Sequence, residues 1–201
     1  MTEQPTLVFL AGIGNSGPEH WQRRWYEREA RRSVWVEHDS WDGPVRDAWV
    51  DDLADTLASV PGPKVLVAHS LGCTLLAEWA HALGDAAGGV AGGLAGEVAG
   101  AFLVAVPDVA GESFPAEAEG FDGAAYRRRL PFPATVVASE DDPYGSLEHA
   151  TATAERLGAR LVNVGRSGHI NASSGLGDWD EGWALLHDGL GDGPGNGLAA
   201  G

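Results

Sequence analysis

A run of β-branched and aliphatic residues, Val65-Leu66-Val67-Ala68, narrows to small residues around one serine in His69-Ser70-Leu71-Gly72-Cys73. It then continues into Leu71–Trp79, where apolar positions recur at helical spacing. This predicts strand, sharp turn and helix, with Ser70 at the corner. A turn that sharp forces the corner residue into a strained backbone conformation, and bulky neighbours two positions away on either side would clash. Ala68 and Gly72 satisfy that demand, so the pattern is G-x-S-x-G with alanine for its first glycine. The helix that starts just after Ser70 points its N-terminal amides and positive dipole end at the place where an oxyanion would develop. Ser70 is therefore the candidate nucleophile.

The remaining chain bounds what can surround this corner. Its 201 residues suffice for one substantial core, so a single α/β domain over residues 1–190 is expected, followed by a disordered Gly-rich tail over 191–201. A formal net charge of −16, with Lys64 the sole lysine, excludes nucleic acid and anionic membranes as natural partners. The chain opens Met1-Thr2-Glu3-Gln4-Pro5, without a basic start, and has no long apolar run. A cytoplasmic location is the expectation. The single cysteine, Cys73, cannot form an internal disulfide, which agrees with a reducing compartment.

Six strands alternate with helices along the chain. Thr6–Leu10 is continuously apolar, as a parallel strand covered on both faces would be. The next loop contains Gly12, Gly14 and Gly17 at G-x-G-x-x-G spacing. Pro18 follows at once, and Val34–Asp39 matches a second dinucleotide-binding strand with its acidic end only loosely, so nucleotide binding is the weaker reading. The stronger one assigns backbone amides near Gly14 and Asn15 as an oxyanion donor, with Ser16-x-x-Glu19 capping a helix from Glu19 to Arg31. On that helix Trp21 and Trp25 face the core, while Arg23, Arg24, Arg28, Arg31 and Arg32 read as a solvated face. Val34–His38, Val98–Val106, Ala134–Ser139 and Arg160–Val164 are further strands; helices span Val45–Ser59, part of Gly145–Leu157, and Trp179–Leu190. A low-complexity segment from Gly84 to Gly96 reads as a flexible surface insert. The connection Asp108–Pro133 is too short for a large cap domain, though Phe114, Phe121, Tyr126 and Phe132 give it the means to form a short lid. Right-handed crossovers then require a doubly wound six-stranded parallel sheet, with the site at the C-terminal strand ends.

A serine hydroxyl needs a base to accept its proton and an acid to hold that base in the right tautomer. His169 follows the last strand in a loop between Gly168 and Ile170 and is the candidate base; Glu140, Asp141 and Asp142 follow the fifth strand and supply the acid. Spacing does not choose between the two aspartates. His69 is locked inside the turn and His20 helps to fix the first loop, and the histidines show no H-E-x-x-H or comparable ligand spacing, so no metal or other cofactor is expected.

Taken together, Gly12–Trp21, Val67–Cys73, Ala138–Tyr144 and Gly168–Gly175 resemble, in order, the motifs of the small serine-hydrolase family of the α/β-hydrolase superfamily, which includes retinoblastoma-binding protein 9 and many bacterial relatives. The resemblance spans about Leu7 to Leu190. It implies an α/β-hydrolase-like three-layer sandwich without a large cap. It also implies Ser70 as nucleophile, His169 as base, and Asp142, directly before Pro143, as acid. The amide of Leu71 and one in the Gly12–Asn15 loop are the implied oxyanion donors. The chain lacks the retinoblastoma-binding pattern L-x-C-x-E, since Leu71-Gly72-Cys73-Thr74-Leu75 has no glutamate. Partner binding of that kind is not carried over. The expected activity is carboxylesterase-like hydrolysis of a small-molecule acyl substrate by a monomer or homodimer. Amide, thioester or perhydrolytic chemistry would use the same residues, and the rival function is a protein-interaction module that has kept the fold.

Overall fold

The computed structural model describes residues 4–85 and 97–191. Beyond Asp85, the expected glycine-rich insert lies outside these residues, as does the expected tail past Gly191. The strands are β1 (Thr6–Leu10), β2 (Ser33–Trp35), β3 (Lys64–His69), β4 (Val98–Val104), β5 (Ala134–Ala138) and β6 (Arg160–Asn163). The helices are α1 (Trp21–Arg28), α2 (Arg46–Ser59), α3 (Leu71–Asp85), α4 (Leu147–Leu157) and α5 (Asp180–Gly191). All strands pair in parallel in one six-stranded sheet of order β2-β1-β3-β4-β5-β6. No large cap domain occurs among the described residues.

Alternation along the strands sorts the core into two layers. Leu7, Phe9, Val65 and Val67 pack with Trp21, Trp25, Trp179 and Leu186, which puts α1 and α5 on one face. Val8, Leu10, Leu66 and Leu103 pack with Trp49, Leu53, Leu57, Leu76, Trp79, Ala150 and Leu157, which puts α2, α3 and α4 on the other. A sheet covered on both sides needs apolar residues at both phases of the pleat, hence continuous apolar runs rather than alternation. β3 is buried at every position, Lys64 included; its ammonium is neutralised by the Glu97 carboxylate and donates to the Gly62 carbonyl at 2.9 Å. The chain steps outward from β1 to β2 and then returns to the opposite side of β1 as β3. Successive crossovers therefore diverge at the C-terminal ends of β1 and β3, where an open parallel sheet leaves a crevice.

Three local expectations are corrected. The first helix begins at Trp21 and not at Glu19, because the His20 side chain and not that of Ser16 accepts the capping bond, from the Gln22 amide. Ser16 instead donates its hydroxyl to Gln22 Oε1 at 2.8 Å. The same helix ends at Arg28 and passes into a 3-10 turn, Ala30–Arg32. Finally, two of its arginines are not simply solvated: Arg23 lies 3.9 Å from the centre of the Trp35 ring and Arg28 4.0 Å from that of Trp183. Their guanidinium groups cover faces of aromatic residues that pack in that layer.

Candidate active site

Ser70 stands between β3 and α3 with φ +53°, a left-handed conformation that a non-glycine residue adopts at a cost of about 1–3 kcal/mol. The surroundings hold it there. Its amide donates to the Val104 carbonyl at 3.0 Å, and its carbonyl accepts the Cys73 amide at 2.8 Å. Gly72 lets α3 approach β1 so closely that a Cβ at this position would lie 2.3 Å from the Leu10 carbonyl oxygen. Cys73 is no rival nucleophile: burial pushes its thiol pKa up, and its Sγ faces the Val104 carbonyl.

From β6 the chain enters a loop that carries His169 to the serine. His169 Nε2 is 2.9 Å from Ser70 Oγ, and Nδ1 is 2.8 Å and 2.9 Å from the two carboxylate oxygens of Asp142. The Asp142 side chain is 2% exposed, so its hydrogen bonds to the imidazole meet little competition from water. Asp142 Oδ1 also accepts the Tyr144 amide at 2.9 Å, and the Tyr144 ring lies over His169 at 4.6 Å. Asp141 turns the other way. Its Oδ1 accepts the Gly168 amide at 2.8 Å and the Ser139 hydroxyl at 2.9 Å, and these bonds, the first above all, hold its pKa below the usual carboxylate range. The structure thus brings Ser70, His169 and Asp142 together, and sets Asp141 to anchor the loop in which His169 lies.

Other partners of that loop were not visible in the sequence pattern. His69 Nε2 donates to the His169 carbonyl at 2.9 Å, and the Trp21 indole donates to the Ile170 carbonyl at 2.8 Å. Gln22, fully buried, donates from one amide group to the carbonyls of Leu10 and Val67, each at 3.1 Å, and so ties β1 to β3 beneath the crevice. The one advance signal was a polar residue on the face of α1 that carries Trp21 and Trp25.

The oxyanion expectation at Gly14 and Asn15 is corrected. The Gly14 amide donates to the Trp41 carbonyl at 2.9 Å and the Asn15 amide to the Gly12 carbonyl at 3.1 Å, so both donors are spent inside the loop. Among the described residues, the amides of Ile13 and Leu71 donate to no acceptor, and both residues border the cavity in front of Ser70. Gly12 is required behind them: a Cβ there would sit 2.9 Å from Ser70 Cβ and 3.3 Å from the Leu71 amide nitrogen.

The cavity measures about 410 Å³, at the lower end for small-molecule sites. Phe114, Pro115, Pro107 and Tyr144 give it apolar surface, whereas Asn15, Ser16 and His20 give it polar surface. No aspartate, glutamate, lysine or arginine lies among its described lining residues. The possible lid resolves into two parts: Phe114 and Pro115 border the cavity, while Phe121, Tyr126 and Phe132 are buried in the core. Trp21 supports the His169 loop from behind and does not line the cavity. No three His, Cys, Asp or Glu side chains among the described residues form a metal-binding group.

Residues 7–188 match the family model described as serine hydrolase. The chain belongs to the serine hydrolase family. No curated protein matches it by sequence. Among solved structures, this serine hydrolase is similar to a YdeN-like hydrolase from Pectobacterium atrosepticum, with 26% identity, TM-score 0.76, and coverage of 94% of this chain and 91% of the other. The ydeN gene product of B. subtilis shares the fold at 18% identity and TM-score 0.70, covering 94% and 100% of the two chains. The esterase RhEst1 from Rhodococcus does so at 17% identity and TM-score 0.65, covering 94% and 90%. Among the described residues of this serine hydrolase, no helix is long and apolar enough to cross a membrane.

Proposed function

We propose that this serine hydrolase cleaves small, uncharged carboxylic esters or related acyl compounds through an acyl-enzyme formed on Ser70. The observation that carries this reading is the continuous hydrogen-bonded chain from Asp142 through His169 to Ser70, opening into a cavity whose described lining holds no lysine or arginine. Asp142 accepts from His169 Nδ1 and thereby leaves Nε2 free to take the hydroxyl proton as Ser70 Oγ attacks the acyl carbon. Charge that develops on the carbonyl oxygen meets the unspent amides of Ile13, in the loop after β1, and of Leu71, at the N-terminus of α3, where preorganised donors lower the barrier without reorienting. His169 then hands its proton to the leaving oxygen, the alcohol departs, and water, activated by the same imidazole, releases the acid. The neutral lining supports an uncharged substrate, because a charged one would be desolvated there without a partner.

A fluorophosphonate probe tests the constellation without requiring the natural substrate, since it reacts with a serine that has a working base and oxyanion site. Labelling of the wild-type protein that is lost in Ser70→Ala is the expected result. A folded wild-type protein that takes up no label would overturn the proposal and favour the interaction-module reading.

A further inference from the structure

Just past β5 stands a serine that the reaction scheme does not use. Ser139 is 1% exposed, and its hydroxyl bonds in two directions. The oxygen accepts the Ser167 amide at 2.9 Å, from the loop after β6, while the proton goes to Asp141 Oδ1 at 2.9 Å. That direction is fixed, because an amide N–H can only donate to the hydroxyl and an ionised carboxylate can only accept from it. Asp141 Oδ1 also accepts the Gly168 amide at 2.8 Å. The two consecutive amides immediately before His169 are therefore held by one buried hydroxyl and the carboxylate it orients.

This loop is one that must be held. The Ile170 amide donates to the Ser167 carbonyl at 3.1 Å, so residues 167–170 close a tight turn with His169 inside it. Gly168 stands at φ +55° and Ile170 at φ +47°. Glycine takes a left-handed conformation freely, but a buried β-branched residue carries a strain of about 1–3 kcal/mol and persists there only where its surroundings over-determine it. Relaxation at either position would swing the imidazole that lies between them. Other contacts grip the carbonyls of the turn: the Ser174 hydroxyl donates to that of Ser167 at 2.7 Å, His69 to that of His169, and Trp21 to that of Ile170. Ser139 acts on the amide side, where it both bonds the turn and aims a second anchor at it.

We propose that Ser139 is a positioning residue for the base: by holding the Ser167 amide and aiming Asp141 at that of Gly168, its hydroxyl keeps His169 Nε2 in reach of Ser70 Oγ and of the leaving oxygen. This inference rests on the assignment of Ser70 and His169 above. The hydroxyl acts through the loop and not on the substrate, so its loss falls on proton transfer by His169 and spares binding.

Ethyl butyrate and p-nitrophenyl butyrate share an acyl group and differ in how much they need that proton transfer. Ethoxide must be protonated by His169 as it leaves, whereas p-nitrophenolate departs without a proton. In Ser139→Ala, kcat/KM is expected to fall about ten-fold for the ethyl ester and about three-fold for the p-nitrophenyl ester, with KM little changed for either. A hydroxyl that only stabilises the fold would lower the unfolding temperature and leave both rates of the folded protein as they are. Unchanged rates, equal losses, or a larger loss for the p-nitrophenyl ester, in an enzyme whose wild type takes up the fluorophosphonate label, overturn the role of Ser139 and leave Ser70 untouched. A wild type that is unlabelled and hydrolyses neither ester overturns both. Should Ser139→Ala fail to fold, Asp141→Ala decides, since Asp141 is exposed and its removal takes away the second anchor and the acceptor of the Ser139 proton. The same unequal loss supports the proposal, and equal or absent losses overturn it.

Discussion

Asp141 and Asp142 are adjacent carboxylates with opposite tasks. Asp142 faces the imidazole with both oxygens, whereas Asp141 receives the Gly168 amide and holds the loop one residue before that imidazole. The same division of labour separates the histidines: His169 is free to exchange a proton with Ser70, while His20 and His69 are buried and held neutral. Desolvation is the first cause for both, and it sets a pH dependence of stability. The His20 pKa falls from 6.5 in the unfolded chain to about 4 in the folded protein, so between those values the unfolded chain binds the extra proton. Its contribution is present above pH 6.5 and is lost as the pH falls toward 4. Urea unfolding at pH 7 and pH 4.5 is expected to show a loss about 2 to 3 kcal/mol larger in the wild type than in His20→Asn. Equal losses would show that the His20 ring becomes charged in the folded protein without cost.

Helix α1 connects the residue scale to the sheet. Trp21 and Trp25 face inward at helical spacing, and this pattern is legible because burying two indoles on one stripe leaves few other ways to pack the helix. What the indoles then bond to is set by the tertiary fold: Trp21 holds the Ile170 carbonyl and Trp25 the carbonyl of Asp178, both remote in sequence. Trp21→Phe would keep an aromatic body in the core and remove the indole donor. A buried carbonyl is then left unpaired, at a cost of about 1–3 kcal/mol, and the loop carrying His169 loosens. Steady-state kinetics with a p-nitrophenyl ester should show kcat lowered about ten-fold with KM little changed, since small misplacement of a catalytic group costs rate more than binding. An unaltered kcat would mean that His69 and Asp141 hold the loop without help from α1.

Over the whole molecule, a net charge of −16 on 201 residues makes self-repulsion a global term. The exposed ion pairs, such as Arg24 with Glu19 and Asp178, are each worth little against it. Raising sodium chloride from 20 mM to 300 mM shortens the Debye length and should raise Tm by a few degrees in differential scanning calorimetry. A fall in Tm would show instead that local pairs outweigh the repulsion. The sequence by itself determined the strand runs, the parallel class and the corner at Ser70, because a strand buried on both faces and a strained strand-to-helix turn each restrict residue type locally. Those restrictions act between neighbours in the chain. The direction in which Asp141 and Asp142 point, which spacing left open though the family resemblance implied Asp142 as the acid, the spent amides of Gly14 and Asn15, and the row of His20, His69 and His169 were decided by the tertiary structure. Each depends on which way a group points once β1, β3, β5 and β6 align their ends, and spacing along one chain carries no record of that direction.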